Sequence, residues 1–319
     1  MPETICCNGH RLWTKFNIFI GNVDIMSPKT NYSKRLQASK NFKISDHATD
    51  ISEEISVDEA TARLKDVRKK LSKLQDVMYA HDKYNVLVCL QGMDTAGKDS
   101  LIREVFAKFN VRGVDVQSFK TPSEKEHQHD YLWRHYIALP EKGKFGVFNR
   151  THYENVLVTR VHPSYLLSEN LPDIREEKDV TNELWEKRYE QITNFENHLI
   201  ENGTILFKFF LNLSKDEQKN RLLRRLEKEK HQWKFSPGDL SERQLWDKYM
   251  EYYEEAIQHT SKKKTPWYII PSDCKETARY LVAQIMLEVL EQYTDIKYPE
   301  LSEEIQGHIK KYKNQLENE

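Results

Sequence analysis

NVLVCLQGMDTAGKDS, residues Asn85–Ser100, decides how the rest of the chain is read. Val86–Leu90 is an unbroken apolar run without a helical period, the pattern of a short strand covered on both faces. Gly92 and Gly97-Lys98 follow at the spacing G-x-x-x-x-G-K, and Leu101–Ala107 continues as a helix. Strand, glycine loop, lysine and helix in that order describe a phosphate-binding loop. Glycines let backbone N–H groups crowd around an anion, the helix N-terminus adds positive potential, and Lys98 adds a mobile charge. The bland alternative, a glycine-rich turn that binds nothing, is disfavoured by the strand and helix on either side.

The loop departs from the usual pattern twice. Asp99 stands after Lys98, where a Ser or Thr hydroxyl commonly binds Mg²⁺. Asp94 is an acid inside an anion-binding loop, and it would repel phosphate unless a cation lay between them. Asp94 is therefore read as a Mg²⁺ ligand in place of the missing hydroxyl.

The chain has 319 residues, room for one large α/β domain or two small ones. Charged residues are 31% and hydrophobic residues 38%, which excludes a membrane-embedded or a disordered protein. Lys plus Arg is 49 and Asp plus Glu is 50, so a polyanionic partner has to be held by a local basic patch. Four cysteines (Cys6, Cys7, Cys89, Cys274) are too few and too scattered for a disulfide framework or a zinc site, which fits a reducing cytoplasm. No run is apolar and long enough to span a bilayer. Phe16–Ile20 is weakly apolar without the flanks of a signal peptide, and Met26 is a candidate natural start.

Residues 27–55 read as an arm or irregular lead-in. Ser56-x-x-Glu59 is a capping box, and Ala60, Leu64, Val67, Leu71, Leu74 and Met78 mark an amphipathic helix to about Ala80. Its Lys- and Arg-rich face is read as solvated. Further strands are expected at Val114–Phe119, Phe145–Phe148, Thr204–Leu211 and Trp267–Ile270. Helices are expected over 127–139, from Tyr153, over 181–202 (stopped by Gly203), from Ser214 to about Lys230, over 240–259 and over 275–293, followed by a charged tail. Alternation of strand and helix implies one α/β domain built on a parallel sheet with helices on both faces. Ligands in such sheets sit beyond the strands' carboxyl ends.

Several residues follow strands. Asn149-Arg150 succeeds Phe148: Asn149 can hold a metal-bound water, and Arg150 can grip phosphate oxygens bidentately. Glu154 comes four residues after Arg150, so a helical turn would aim it at the same place. An ordinary strand-end turn is the alternative. Lys120 ends the second strand. Asp130 and Arg134 share a helix face if 127–139 is helical, and they either pair with each other or line an acceptor pocket. Arg221, Arg224 and Arg225 lie on a basic helix after a strand. They either close over phosphates or form ordinary surface pairs with Glu217, Glu227 and Glu229.

Taken together, QGMDTAGKDS from Gln91, SFKTPS from Ser118, HDYLWRHY from His129, GVFNRTHYENVLVTRVHP from Gly146 and WKFSPGDLSER from Trp233 resemble polyphosphate kinase family 2, over roughly residues 32–295. Asn149 resembles the third class of that family, which phosphorylates AMP as well as ADP. The resemblance implies a thymidylate-kinase-like P-loop kinase fold, a three-layer α/β/α sandwich on a five-stranded parallel sheet. It places a helical lid at about 214–245, an extension over 1–31 and a charged tail over 296–319. It implies catalytic roles for Asp94, Lys98, Asn149, Arg150, Glu154, Arg221 and Arg225. Gly92, Gly97, Asp99, Lys120, Asp130 and Arg134 would bind phosphate or nucleotide. Asp94, Glu154 and, through water, Asn149 would hold Mg²⁺, with Mn²⁺ as substitute. The implied partners are inorganic polyphosphate, adenine or guanine nucleotides and a second copy of the chain in a dimer or tetramer, with no nucleic acid and no membrane. An ATP-dependent nucleoside monophosphate kinase is the rival, disfavoured by Asp99; a non-catalytic nucleotide or polyphosphate binder is disfavoured by Asp94 and Lys98.

Overall fold

The computed structural model describes residues 30–319, so the expectations on Cys6, Cys7, Phe16–Ile20 and Met26 lie outside the described residues. The lead-in contains a short helix, α1 (Tyr32–Arg35), and then runs along the edge of the sheet. There Gln37 bridges Tyr268 antiparallel, and Ala38 N donates to Trp267 O. The irregular segment thus covers backbone groups that a bare sheet edge would expose. α2 (Val57–His81) starts at Ser56, whose Oγ accepts from Glu59 N, and it buries Ala60, Leu64, Val67, Leu71 and Met78. The carboxylate of Glu59 pairs with Arg63 instead of closing the capping box.

β1 (Asn85–Gln91) is buried at every position. α3 (Lys98–Val105), β2 (Val114–Ser118), α4 (Glu124–His127), α5 (Trp133–Tyr136), β3 (Phe145–Asn149) and α6 (Glu154–Val161) follow. The single helix expected over 127–139 is instead the two short helices α4 and α5. Between them Asp130 Oδ1 accepts from Leu132 N at 2.9 Å, a local turn that competes with helical pairing. α7 (Asn182–Glu201) ends before Gly203, which stands at φ +87° in the left-handed region.

β4 (Thr204–Asn212) leads to α8 (Lys215–Glu227), α9 (Glu229–Gln232), α10 (Gly238–Gln244) and α11 (Trp246–Thr260). The basic helix stops short of Lys230 because Lys228 is extended and Gln232 Nε2 takes the Leu226 carbonyl. The helix expected over 240–259 is divided at Leu245, whose N–H turns back to Glu242 O. β5 (Trp267–Pro271), α12 (Lys275–Leu290) and the wholly exposed α13 (Glu303–Glu317) complete the chain.

All five strands are parallel, in the order β2-β3-β1-β4-β5. Side chains alternate between the sheet's faces. Val86, Val88 and Leu90 join the core beneath α2, α3 and α12, whereas Leu87 and Cys89 face the side of α7. The chain runs from β1 past β3 to β2, returns to β3, then crosses to β4 on the far side of β1. The order reverses beside β1, so a crevice opens at the carboxyl ends of β1 and β3, which end in register at Leu90 and Asn149.

Candidate active site

The phosphate loop fills that crevice. Gly92 stands at φ +152°, and a Cβ there would meet Leu211 Cβ at 3.0 Å and Ala96 Cβ at 3.2 Å. Gly97 stands at φ +108°, and α3 begins immediately after it. Lys98 is buried at the first position of α3; its Nζ donates to Gly92 O at 2.6 Å and Met93 O at 3.3 Å. Burial, followed by the nearby charge of Arg150, pulls its pKa down to about 8 against the opposing pull of Asp94, Glu154 and Asp99.

Asp94, Arg150 and Glu154 come together as expected. Arg150 Nη2 donates to Asp94 Oδ1 at 2.8 Å and Nη1 to Glu154 Oε2 at 3.3 Å. The charges of Glu154 and Asp94 raise the Arg150 pKa against the effect of its burial. Glu154 is the first residue of α6, which places it one turn after Arg150. Asn149 Nδ2 donates to Asp99 Oδ1 at 2.8 Å and Ser118 Oγ at 3.3 Å, joining the ends of β2 and β3 to the first turn of α3. Asp99, in the place of the usual hydroxyl, thus holds the Asn149 amide.

The remaining predicted residues divide. Arg225 reaches the cavity and pairs with Asp239 on α10 at 2.6 Å. Lys120 lines the cavity, and its carbonyl accepts from Arg134 Nη2 at 2.8 Å. Asp130 does not pair with Arg134, because no helix places them four apart on one face; its carboxylate is spent on the Leu132 turn. Arg134 lies near Glu126 and over the Phe119 ring instead. Arg221 also departs from the expectation of a lid arginine open to phosphate. Its Nε donates to Glu217, Nη1 to Thr95 O and Ala96 O, and Nη2 to Ser272 O and Asp273 O.

A cavity of about 1430 Å³ joins these residues. One wall is cationic: Arg103, Arg224, Arg225, Lys234, Lys275 and Arg279. The rest of the lining is mixed and partly aromatic, with Phe119, Lys120, Tyr131, Arg134, Asn155 and Tyr165. Arg103, Lys275 and Arg279 were invisible as site residues in the sequence, since α3 and α12 bring them together from 172 or more positions apart. Behind the β3 end lies a buried polar cluster that the sequence also hid. Lys208 Nζ donates to Glu196 Oε2 at 2.7 Å, Tyr153 Oη at 3.1 Å and Thr260 O at 2.8 Å, and His152 Nε2 lies 3.3 Å from Glu196 Oε1. This cluster anchors the backbone that carries Arg150.

Among the described residues no three His, Cys, Asp or Glu side chains converge as a ready metal site. Mg²⁺ does not require one, since it usually keeps waters and takes one or two carboxylates together with substrate phosphates. Asp94 in the loop and Glu154 beside it, gathered on Arg150, supply two hard carboxylates, which fits that donor set.

Comparison with known proteins gives one family. Residues 54–298 match the family described as Polyphosphate kinase 2. An ADP-polyphosphate phosphotransferase of Rhodopseudomonas palustris is 46% identical over 248 residues, covering 78% of this chain and 84% of that protein. An AMP/ADP-polyphosphate phosphotransferase of Meiothermus ruber is 45% identical over 234 residues, covering 73% of this chain and 82% of that protein. Among solved structures, the crystal structure of polyphosphate kinase 2 from Arthrobacter aurescens has a TM-score of 0.78 at 33% identity, covering 85% of this chain and 93% of that one.

Proposed function

The chain belongs to the polyphosphate kinase 2 family, and from that membership and the layout of its cavity we propose that it moves the terminal phosphoryl group of inorganic polyphosphate onto AMP and ADP, reversibly, forming ADP and ATP. The observation that carries this reading is the pairing of one cationic wall with the phosphate loop in a single cavity. A polyanionic chain laid along Arg103, Arg224, Lys275 and Arg279 has its end at the loop. The acceptor nucleotide takes the mixed part of the lining, beside Lys120, Tyr131 and Arg134.

An oxygen of the acceptor phosphate attacks the terminal phosphorus in line. The new P–O bond forms as the bond to the bridging oxygen breaks, and the shortened chain leaves as an anion. The attacking oxygen is already anionic, so no strong base is required. The chain's own work is positioning and charge neutralisation. Loop N–H groups and Lys98 hold the transferred group, Arg150 neutralises its oxygens, and Asp94 and Glu154 orient Arg150. Mg²⁺, held by Asp94 and Glu154 and by Asn149 through water, would spread the phosphates' negative charge; Mn²⁺ would substitute.

A coupled assay with polyphosphate as sole donor tests the reading: ATP should form from ADP, and ADP from AMP. Turnover only with ATP as donor would mark a nucleoside monophosphate kinase, and binding without turnover a passive binder. A cytoplasmic setting is supported by the free Cys89 and Cys274 and by the nucleotide substrates. Assembly as a dimer or tetramer rests on the family alone, and sedimentation of the full chain tests it.

A further inference from the structure

α8 holds the phosphate loop from behind. Gln218 Nε2 donates to Asp94 O at 3.2 Å, and Arg221 Nη1 donates to Thr95 O and Ala96 O, both at 3.0 Å. The other loop carbonyls are also engaged: Gly92 O and Met93 O by Lys98, and Gly97 O by Leu101 N and Ser100 Oγ. Among the described residues, the N–H groups of Asp94, Thr95, Gly97 and Lys98 donate to no protein acceptor. Carbonyls turned one way and N–H groups turned the other are what an anion-binding nest requires.

That arrangement needs support from outside the loop. Thr95 is β-branched yet stands at φ +66°, a strained conformation that persists only where its surroundings impose it. Arg221 supplies the constraint with all of its donors. Besides the two loop carbonyls, Nη2 reaches Ser272 O at 2.6 Å and Asp273 O at 2.8 Å beyond β5, and Nε reaches Glu217 at 2.8 Å. Arg221 borders the cavity, but only 3% of its side chain is exposed and each of its donors is already taken by a protein acceptor. Gln218 is held in turn from α10: Arg243 donates to Gln218 Oε1 at 2.7 Å.

We propose that Gln218 and Arg221 are positioning residues that set the backbone of the phosphate loop for the donor's terminal phosphate and do not touch substrate. The inference rests on the function proposed above. It separates two roles for Arg221. A charge acting on phosphate survives replacement by Lys, whereas a planar fork holding carbonyls does not.

The test is binding of inorganic tripolyphosphate to the full chain by calorimetry, together with steady-state kinetics. Gln218→Met keeps the length and removes the donor. It should weaken tripolyphosphate binding about tenfold, the effect of one hydrogen bond. It should leave the KM for ADP within about twofold and the salt dependence of binding unchanged, because no phosphate-neutralising charge is lost. Arg221→Lys should lose as much tripolyphosphate affinity as Arg221→Ala. Unchanged tripolyphosphate affinity in Gln218→Met, equal weakening of ADP and tripolyphosphate, or wild-type turnover in Arg221→Lys each overturns the inference. A wild type that binds no tripolyphosphate overturns the proposed function, and this inference with it.

Discussion

Arg150 Nη2 lies 2.8 Å from Asp94 Oδ1, and the backbone that carries this arginine stands at φ +62°. A side chain in the left-handed region costs about 1–2 kcal/mol, so the site stores strain to aim a guanidinium at the loop. Both ion pairs of Arg150 are half-exposed, and such pairs return about 1 kcal/mol or less. Arg150→Gly should therefore leave stability within about 1 kcal/mol of wild type while cutting turnover about a hundredfold or more. Urea denaturation beside the polyphosphate assay decides it. A folded glycine variant with normal turnover would remove Arg150 from the machinery.

Lys98 sets a pH limit on donor binding. With its pKa pulled down to about 8, Lys98 loses its charge well below the pH at which a free lysine does. Tripolyphosphate affinity should fall above pH 8, by up to about tenfold per pH unit for one proton. Lys98→Arg stays charged and should lack that limb. Stability moves the other way. Between about pH 8 and the ordinary lysine value the unfolded chain binds more protons than the folded one, so the penalty for burying charged Lys98 fades as pH rises. Calorimetric titrations from pH 7 to 10 on both proteins check the first claim, and a limb shared by both proteins would assign the titration to another group.

The sheet was legible because β1, β3, β4 and β5 are apolar runs, β2 alternates apolar and polar residues, and each strand is followed by a helical period. That Asp94, Lys98, Asn149, Arg150 and Glu154 lie together was legible because they follow strand ends, and strand ends converge in a parallel sheet. Helix continuity was not, since it depends on which side chains take backbone partners. Asp130 and Gln232 each divert backbone groups that periodicity assigns to a helix. The partners of Arg221 were hidden for the same reason. Its spacing on α8 announces a guanidinium, but only the fold shows that four carbonyls already claim it. Of the cationic lining, Arg224 and Arg225 were visible on their basic helix, whereas Arg103, Lys275 and Arg279 were hidden because α3 and α12 are distant in sequence.

The buried pair of Lys208 and Glu196 yields a stability prediction. Both side chains are at most 1% exposed, and the charge of each partner opposes the burial that disfavours the other. Lys208→Met leaves a carboxylate uncompensated in the core and should cost about 3–5 kcal/mol. Lys208→Met combined with Glu196→Leu should cost less than the sum of the single changes, because the second removes the charge stranded by the first. Equilibrium denaturation of the two single variants and the double variant measures the coupling. Strict additivity would mean that the pair contributes nothing jointly.

Glu154 is expected to set acceptor choice. AMP is one phosphate shorter than ADP, so its attacking oxygen comes from a group seated differently relative to the loop. Serving both acceptors requires a site that tolerates two placements of negative charge and of the cations that accompany them. Asn149 is neutral and donates to Asp99 and Ser118, so residue 149 itself adds no fixed charge against either placement. Glu154 is then the carboxylate at this end of the cavity that can hold a second cation or its water. Its pairing with Arg150, at 3.3 Å, is the longer of the two, so Asp94 at 2.8 Å still aims Arg150 when Glu154 is lost. ADP, one phosphate longer, should keep most of its rate. Glu154→Ala is therefore expected to lower the rate with AMP about tenfold more than the rate with ADP, a difference of one charge-assisted hydrogen bond. Steady-state rates for both acceptors on wild type and variant measure it. Equal losses would make Glu154 a mere support for Arg150, and a wild type inert toward AMP would remove the link between Asn149 and dual acceptor use.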